Sequence, residues 1–339
     1  MRIGLPLTIA IAVAIFIGML ATFERPPVRF IQNGYRGTGM DLVYNPRTVA
    51  TELAASHIPP TLPQAGGEGP KAGAVYKNVQ VLGDVSVGEF TRLMAAMTVW
   101  VAPKQGCGYC HEAGNFASDK LYTKIVARRM VQMVKHINGA WYDHVGAVGV
   151  TCYTCHRGQP VPAAIWFEPN PPHALGSVES DTGKNLPAPV AGGSSLPFDP
   201  ITAFLVSDDQ IRVQSTTALP EGDRSSIKQT EWTYALMMHF SQALGVNCVF
   251  CHNSRAFEQW SESTPQRVTA WYGIRMVRNL NSDYLLPLAN TLPAYRHGPK
   301  GDGPKILCAT CHQGVYKPLF GAQMAKSFPE LLGNAGGAQ

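Results

Sequence analysis

The chain has 339 residues, enough for two ordinary domains, but 33 glycines, 26 prolines and a charged fraction of only 15% describe a loop-rich protein. Its formal charge of +5 leans mildly toward an anionic partner. That charge is small enough for bound anionic groups to cancel it, so no nucleic-acid or lipid preference follows.

After Met1 and Arg2, residues Ile3 to Phe23 carry no charge, and this stretch is long enough to cross a bilayer core of about 30 Å. A removed signal usually has a shorter apolar core that ends in a small-x-small cleavage site, whereas here Gly18-Met-Leu-Ala21-Thr-Phe23 runs on to Glu24-Arg25-Pro26-Pro27, so 1–25 is read as a retained transmembrane anchor. Arg2 puts the amino end in the cytoplasm and the body on the periplasmic side. Residues 26–80, with Gly34, Gly37, Gly39 and Ile58-Pro-Pro-Thr-Leu-Pro63, read as an extended tether or surface segment.

Helical signals begin at Ser86-Val-Gly-Glu89, which has the form of a capping box and leads into Phe90, Leu93, Met94, Met97 and Val101 before Pro103. Further helices are predicted from about Ser118 to Ile137, from about Ser226 to Leu244, and from Thr264-Pro265 to about Leu280. The stretch Pro160 to Pro200 is dense in Pro, Gly and Ser. The organisation expected is a module at 81–160, a linker at 161–220, a second module at 221–325 and a tail at 326–339. The fold class is mainly α with long irregular loops.

Cys-x-x-Cys-His occurs four times: Cys107-Gly-Tyr-Cys110-His111, Cys152-Tyr-Thr-Cys155-His156, Cys248-Val-Phe-Cys251-His252 and Cys308-Ala-Thr-Cys311-His312. The pattern attaches a c-type haem, with two thioethers to the porphyrin and the adjacent histidine on the iron. Random order would give roughly 0.006 such pentapeptides in a chain of this composition. A zinc site built from paired Cys-x-x-Cys units leaves the histidine after every second cysteine unexplained. A thioredoxin-like pair needs a strand-helix setting that is absent. Four covalent haems consume every cysteine and leave none for a disulfide.

The motifs pair two by two. Phe stands five residues after the histidine in the first and third (Phe116, Phe257), whereas the second and fourth share Thr154 and Thr310, Gly158 and Gly314, and Pro162 and Pro318. Arg129-Met130-Val131 and Arg275-Met276-Val277 extend the match, so an internal two-fold repeat of two-haem modules is expected. Methionine supplies a second axial ligand that raises the potential, and Met94, Met97, Met130, Met133, Met237, Met238 and Met276 all fall in predicted helices. Methionine at helical spacing also fills core gaps, so each of the seven stands open between ligand and packing roles.

These residues resemble the tetrahaem cytochrome subunit of bacterial photosynthetic reaction centres. The resemblance rests on Glu89-Phe-Thr-Arg-Leu-Met94, Ala127-Arg-Arg-Met130, Ala235-Leu-Met-Met238, Ser263-Thr-Pro-Gln-Arg267, Gly273-Ile-Arg-Met-Val-Arg278 and Lys317-Pro-Leu-Phe-Gly321, and it covers nearly the whole chain. It implies Met94 as sixth ligand of the haem on His111, Met130 for His156, Met237 for His252 and His144 for His312. Repeat symmetry nominates Met276 instead of His144 for the last. The resemblance is followed, because Met276 leaves His144 unexplained. Arg267 and Arg275 are candidate partners of haem propionates, and His239 is a reserve ligand; His57, His136, His173 and His297 read as solvated or capping.

What the resemblance implies is a relay and not an enzyme. A soluble periplasmic donor, a small cytochrome c or a high-potential iron-sulfur protein, would pass electrons along the haems to the photo-oxidised bacteriochlorophyll pair. The partners implied are the reaction-centre L, M and H subunits, the light-harvesting antenna helices and the membrane. The alternatives are a membrane-anchored tetrahaem quinol dehydrogenase, which would need more histidine ligands than this chain offers near its motifs, and a multihaem reductase, which would need a five-coordinate haem.

Overall fold

The structure, a computed structural model, describes residues 4–23, 26–37, 39–170, 186–213 and 227–333. It is mainly helical, with one antiparallel pair of short strands. Helix α1 (Leu5–Thr22) has a mean hydropathy of 2.3 and buries none of its residues against the rest of the chain. At 1.5 Å per residue it is about 27 Å long, enough to serve as a membrane anchor by length and composition.

Strands β1 (Arg29–Gln32) and β2 (Asp41–Tyr44) follow, with Phe30 opposite Val43 and Ile31 opposite Leu42. Leu42 is buried and β2 lies against the turn at Cys248–Phe250, while Phe30 and Ile31 face outward. Helix α2 (Pro46–Ala55) then begins at Asn45, whose side chain accepts from Arg47 N at 2.9 Å. Residues 26–80 are therefore more ordered than an extended tether. The signal for α2, Asn at the cap and Pro at the first helical position, sits between glycine-rich and proline-rich flanks that mask it.

Helix α3 (Val87–Val101) starts with the predicted capping box: Glu89 N donates to Ser86 Oγ at 3.2 Å and Ser86 N to Glu89 Oε2 at 3.0 Å. It buries Leu93, Ala96 and Trp100, one stripe at helical spacing. Helix α4 (Tyr122–Ala140) begins four residues later than Ser118. The residues before it are used otherwise: Asp119 takes Arg128 and Asn78, and the Ser118 carbonyl takes Lys124. Helix α5 spans Ile227–Leu244 and α6 spans Pro265–Leu280. Thr264 stands at the N-cap of α6, but its hydroxyl donates to the Phe250 carbonyl at 2.7 Å and so ties the helix to the third motif.

Helix α6 is the seam of the molecule. Met276 and Leu280 join a core with Leu93, Trp100, Val131, Val134 and Ile137, while Val277 joins a second core with Trp166, Ile201, Phe204, Leu205 and Leu236. Much of the stretch expected as a linker is thus core. Trp166 and Lys305 exchange backbone hydrogen bonds at 2.8 Å, and Ile201 and Leu205 are fully buried. The apolar run at 201–206 is short, and averaging it with its Pro, Gly and Ser neighbours hid it. Residues 171–185 and 214–220 of that stretch, and His173 with them, lie outside the described residues.

The expected tail also packs. Phe328 and Leu331 enter the first core, and buried Arg92 donates to the carbonyls of Pro63 and Ser327, both at 2.7 Å, with Phe328 under its guanidinium at 4.0 Å. Beside them Glu330 is 8% exposed, and neither of its carboxylate oxygens has a hydrogen-bond partner among the described residues. Burial pushes its carboxyl above the ordinary value of 4.5. A carboxyl raised in the folded state contributes stability that is complete below the unfolded value and is lost as pH rises through the folded one. Glu330→Gln is expected to raise the denaturation midpoint near pH 7 and to leave it little changed below about pH 4; parallel denaturant curves at the two pH values check both signs.

Candidate functional site

The four motifs fold into two kinds of turn. The second and fourth, Cys152–His156 and Cys308–His312, are single helical turns entered by the same bond: Thr151 N donates to Thr154 Oγ1 and Leu307 N to Thr310 Oγ1, each at 3.0 Å. Both leave through a left-handed residue, Arg157 and Gln313, each at φ 50°, followed by Gly158 and Gly314, also at positive φ. The first and third use looser turns at Gly106–Tyr109 and Cys248–Phe250.

Every motif histidine has Nδ1 on a backbone carbonyl. His111 donates to Phe116 O at 3.1 Å and His252 to Phe257 O at 2.8 Å, five residues on; His156 donates to Gln159 O at 2.9 Å and His312 to Val315 O at 3.0 Å, three residues on. A carbonyl can only accept, so each ring carries its proton on Nδ1 and keeps a lone pair on Nε2, the arrangement of a metal-bound histidine. Burial pushes the imidazolium pKa of His156 and His252 down, and burial with His144 beside it pushes that of His312 down to about 4, so these rings are neutral and able to ligate. Burial also holds the thiols of Cys152 and Cys308 up at about 12 and those of Cys110 and Cys251 at about 11.

His144 comes to the fourth motif from a short turn after α4. Its Nδ1 donates to Thr269 O of α6 at 2.9 Å, and its ring stands 6.0 Å from that of His312, centroid to centroid. Two imidazoles on opposite sides of one metal, at about 2 Å per metal–nitrogen bond, have centroids roughly 6.3 Å apart. Gly273 makes room for this ring: a Cβ there would lie 2.6 Å from His144 Cε1.

The eight cysteines, the four motif histidines, His144, Met94, Met130 and Met237 all line one cavity of about 2060 Å³. That is about twice the upper end of the roughly 300–1,000 Å³ of a site for a single small ligand. The lining is dominated by apolar side chains, which suits the faces of large flat cofactors, and Arg267, Arg275 and Lys305 bring cations to it. The residues present therefore fit covalently held haem. Met97, Met133 and Met276 line the same space, whereas Met238 packs on Ala188, Ala191 and Ala235, away from it.

Cys155 and Cys311 form a disulfide with Cα atoms 4.4 Å apart. This departs from the expectation that no cysteine is left for one. The second and fourth motif turns abut, with Gln313 Nε2 donating to Cys155 O at 3.2 Å, and the close approach brings the two sulfurs together. One pair of sulfurs makes either this bond or two thioethers.

Among the other described histidines, the rings of His136, His297 and His239 have partners on the chain. His136 Nε2 is 2.7 Å from Asn279 Oδ1, His297 Nε2 is 2.9 Å from Ala289 O, and the His57 carbonyl accepts from the Tyr153 hydroxyl. His239, 3% exposed, has Nδ1 3.2 Å from Val190 O and a buried Nε2 without a partner among the described residues. Arg267 lies over Trp260 at 4.2 Å and Arg275 over Trp271 at 4.5 Å.

Residues 24–332 match the family described as the photosynthetic reaction centre cytochrome C subunit. The chain belongs to that family. It is 53% identical over 330 residues to the photosynthetic reaction center cytochrome c subunit of Rubrivivax gelatinosus, covering 96% of this chain and 88% of that one. The subunit of Thermochromatium tepidum is 50% identical over 335 residues, covering 98% and 81%, and that of Roseobacter denitrificans is 42% identical over 321 residues, covering 89% and 85%. The chain is thus a c-type cytochrome subunit of a membrane-associated photosynthetic complex, an electron carrier and not an enzyme, and the quinol dehydrogenase reading has no support.

One close approach supports the fourth motif. Gly245, at φ 64°, ends α5 against the Gly314 carbonyl, and Gly314 N donates to Ala243 O at 2.8 Å. A Cβ at Gly245 would overlap that carbonyl oxygen, so Gly245→Ala combines a disfavoured backbone with a clash. It is expected to cost more than about 1 kcal/mol, seen as an earlier denaturation midpoint of the purified cytochrome.

Proposed function

We propose that this chain holds four covalent haems and relays electrons from a soluble periplasmic donor, a small cytochrome c or a high-potential iron-sulfur protein, to the photo-oxidised bacteriochlorophyll pair. Its direct neighbours are the L, M and H subunits and the antenna helices, with α1 as anchor and the haem-bearing body on the periplasmic side. The observation that carries the reading is the single cavity lined by all eight cysteines and by four histidines of one tautomer. When bound, the haem irons supply reversible one-electron chemistry.

The sulfurs of Cys107 and Cys110, Cys152 and Cys155, Cys248 and Cys251, and Cys308 and Cys311 would hold the four groups, and Nε2 of His111, His156, His252 and His312 would ligate their irons. Met94, Met130 and Met237 would complete the ligation of the first three and favour ferrous iron; His144 would complete that of the fourth and lower its potential. The 6.0 Å spacing of His144 and His312 supports His144 over Met276. The matched turns support two modules at 81–160 and 221–325 with the second and fourth sites innermost, because their turns abut at Cys155 and Cys311.

The third site then lies at the membrane end. Only seven residue steps separate the end of α1 from β1, at most about 25 Å of extended chain. The hairpin that β1 opens rests on the third motif turn through β2. Anchor and third site are thereby kept close, which supports His252 as the histidine nearest the pair.

Three experiments test the reading. In membranes poised with the higher-potential haems reduced, a flash is expected to oxidise the haem α-band in step with recovery of the bleached pair; haems that stay reduced while the pair recovers would sink the relay. Intact mass and denatured alkylation are expected to find four haems and no alkylatable cysteine, whereas a retained Cys155–Cys311 disulfide would leave the second and fourth groups with one thioether each. Gly273→Ala pushes the His144 ring away from His312, and the ferrous variant is expected to bind carbon monoxide at one haem where the parent binds none.

A further inference from the structure

Two donors converge on one carbonyl at the first site. Phe116 O accepts from His111 Nδ1 at 3.1 Å and from Lys124 Nζ at 2.7 Å. Lys124 is 7% exposed and lines the cavity. Its ammonium also donates to Ser118 O at 2.9 Å and stands 3.4 Å from Asp119 Oδ1, which Arg128 holds at 2.8 Å and Asn78 at 2.9 Å. Two cations share one carboxylate, so the cluster keeps a net positive charge beside the first motif.

The third site is the internal control. Its carbonyl, Phe257 O, accepts from His252 at 2.8 Å. Arg267 is the third residue of α6, as Lys124 is the third residue of α4. Its guanidinium goes instead to Glu258 O, Gln259 O and the Ser263 hydroxyl. At the second and fourth sites Gln159 O and Val315 O accept from their histidines, with no cationic side chain bonded to them among the described residues. The shared carbonyl is therefore a feature of the first site.

A carbonyl that accepts from the Nδ1–H of a metal-bound histidine makes the ring a stronger donor to the metal, which favours the ferric state. An ammonium on the same oxygen draws off part of its negative potential and weakens that push. A buried positive charge acts in the same direction, since it opposes the extra charge of ferric iron and is little screened. Neither effect depends on exchanging an axial ligand.

We propose that Lys124 is a tuning residue for the haem held by His111, raising its reduction potential by sharing the Phe116 carbonyl and by placing a positive charge beside the site. This rests on the reading that His111 is a haem ligand. Lys124 touches the carbonyl that orients the ligand and acts through it.

The test is an equilibrium redox titration of the four haem waves in the full membrane-bound cytochrome, comparing the parent with Lys124→Gln, Lys124→Arg and Asp119→Asn. In Lys124→Gln one wave is expected to move so that its ferric-to-ferrous ratio at fixed ambient potential rises about tenfold, about 59 mV for one electron, while three waves stay. Lys124→Arg, which keeps the charge, is expected to hold the parent potential. Asp119→Asn removes the counter-charge and is expected to move a single wave the other way; it carries the test if Lys124→Gln does not load the first haem. Four unmoved waves in Lys124→Gln, or in Asp119→Asn where that variant carries the test, overturn the proposal, as does an equal shift in Lys124→Arg. Digestion identifies the haem peptide at Cys107 and Cys110 in each chain. Its absence from the parent overturns the haem reading and this inference with it; its presence with an unmoved wave overturns this inference alone.

Discussion

The structure depends on a backbone carbonyl held within reach of each motif histidine. The bond from Nδ1 fixes both tautomer and ring direction, so Nε2 is the free nitrogen at all four sites. Holding the carbonyl there makes demands on the chain that differ between the two kinds of turn. At three residues' distance the backbone must reverse through a left-handed residue, and Arg157 and Gln313 adopt that conformation although neither is glycine. At five residues' distance the reversal is spread over a longer loop ending in Phe116 or Phe257, whose rings pack on the same histidines. The two-by-two pairing of the motifs is thus a pairing of ways to place one carbonyl.

The rest of the chain is arranged around the space those histidines face. Helices α3 to α6 turn one face to a protein core and another to the cavity, and the division is visible within single helices. In α3, Leu93, Ala96 and Trp100 are buried among side chains, while Met94, Met97 and Val101 line the cavity. In α5, Leu236 goes to the core and Met237 to the cavity, and Met238 on the next face packs on alanines. This accounts for a loop-rich chain with modest cores: the apolar surface that its helices would otherwise bury against one another is turned toward large apolar cofactors.

That division explains what could be read in the sequence. The motifs, the Ser86–Glu89 cap and the four helices are local patterns, whereas Met94, Met130, Met237 and His144 are singled out by the family resemblance, and all four line the cavity with the motifs. What escaped was long-range or averaged away. Helix α2 and the core run at 201–206 are short apolar signals inside Gly- and Pro-rich surroundings. The apposition of Cys155 and Cys311, 156 residues apart, has no local signature. Lys124 looks like any lysine in a helix's first turn, and its burial follows from the loop that folds back over it.

The seam along α6 decides how independent the two halves can be. Asn279 bonds His136 and Trp141 of the first half, the latter at 3.1 Å, and Trp141 opens the short turn that carries His144. Arg129 lies 4.4 Å over Tyr284 and donates to the Asp283 carbonyl. The His144 ring, in turn, is held by Thr269 O and fits only because residue 273 has no Cβ. A first half separated from α6 would leave these polar groups unpaired and His144 without its orienting bond, and the second half would lose the ring facing His312. Matched turns therefore do not make interchangeable or self-sufficient modules. The seam makes the geometry of the fourth site a property of the whole chain.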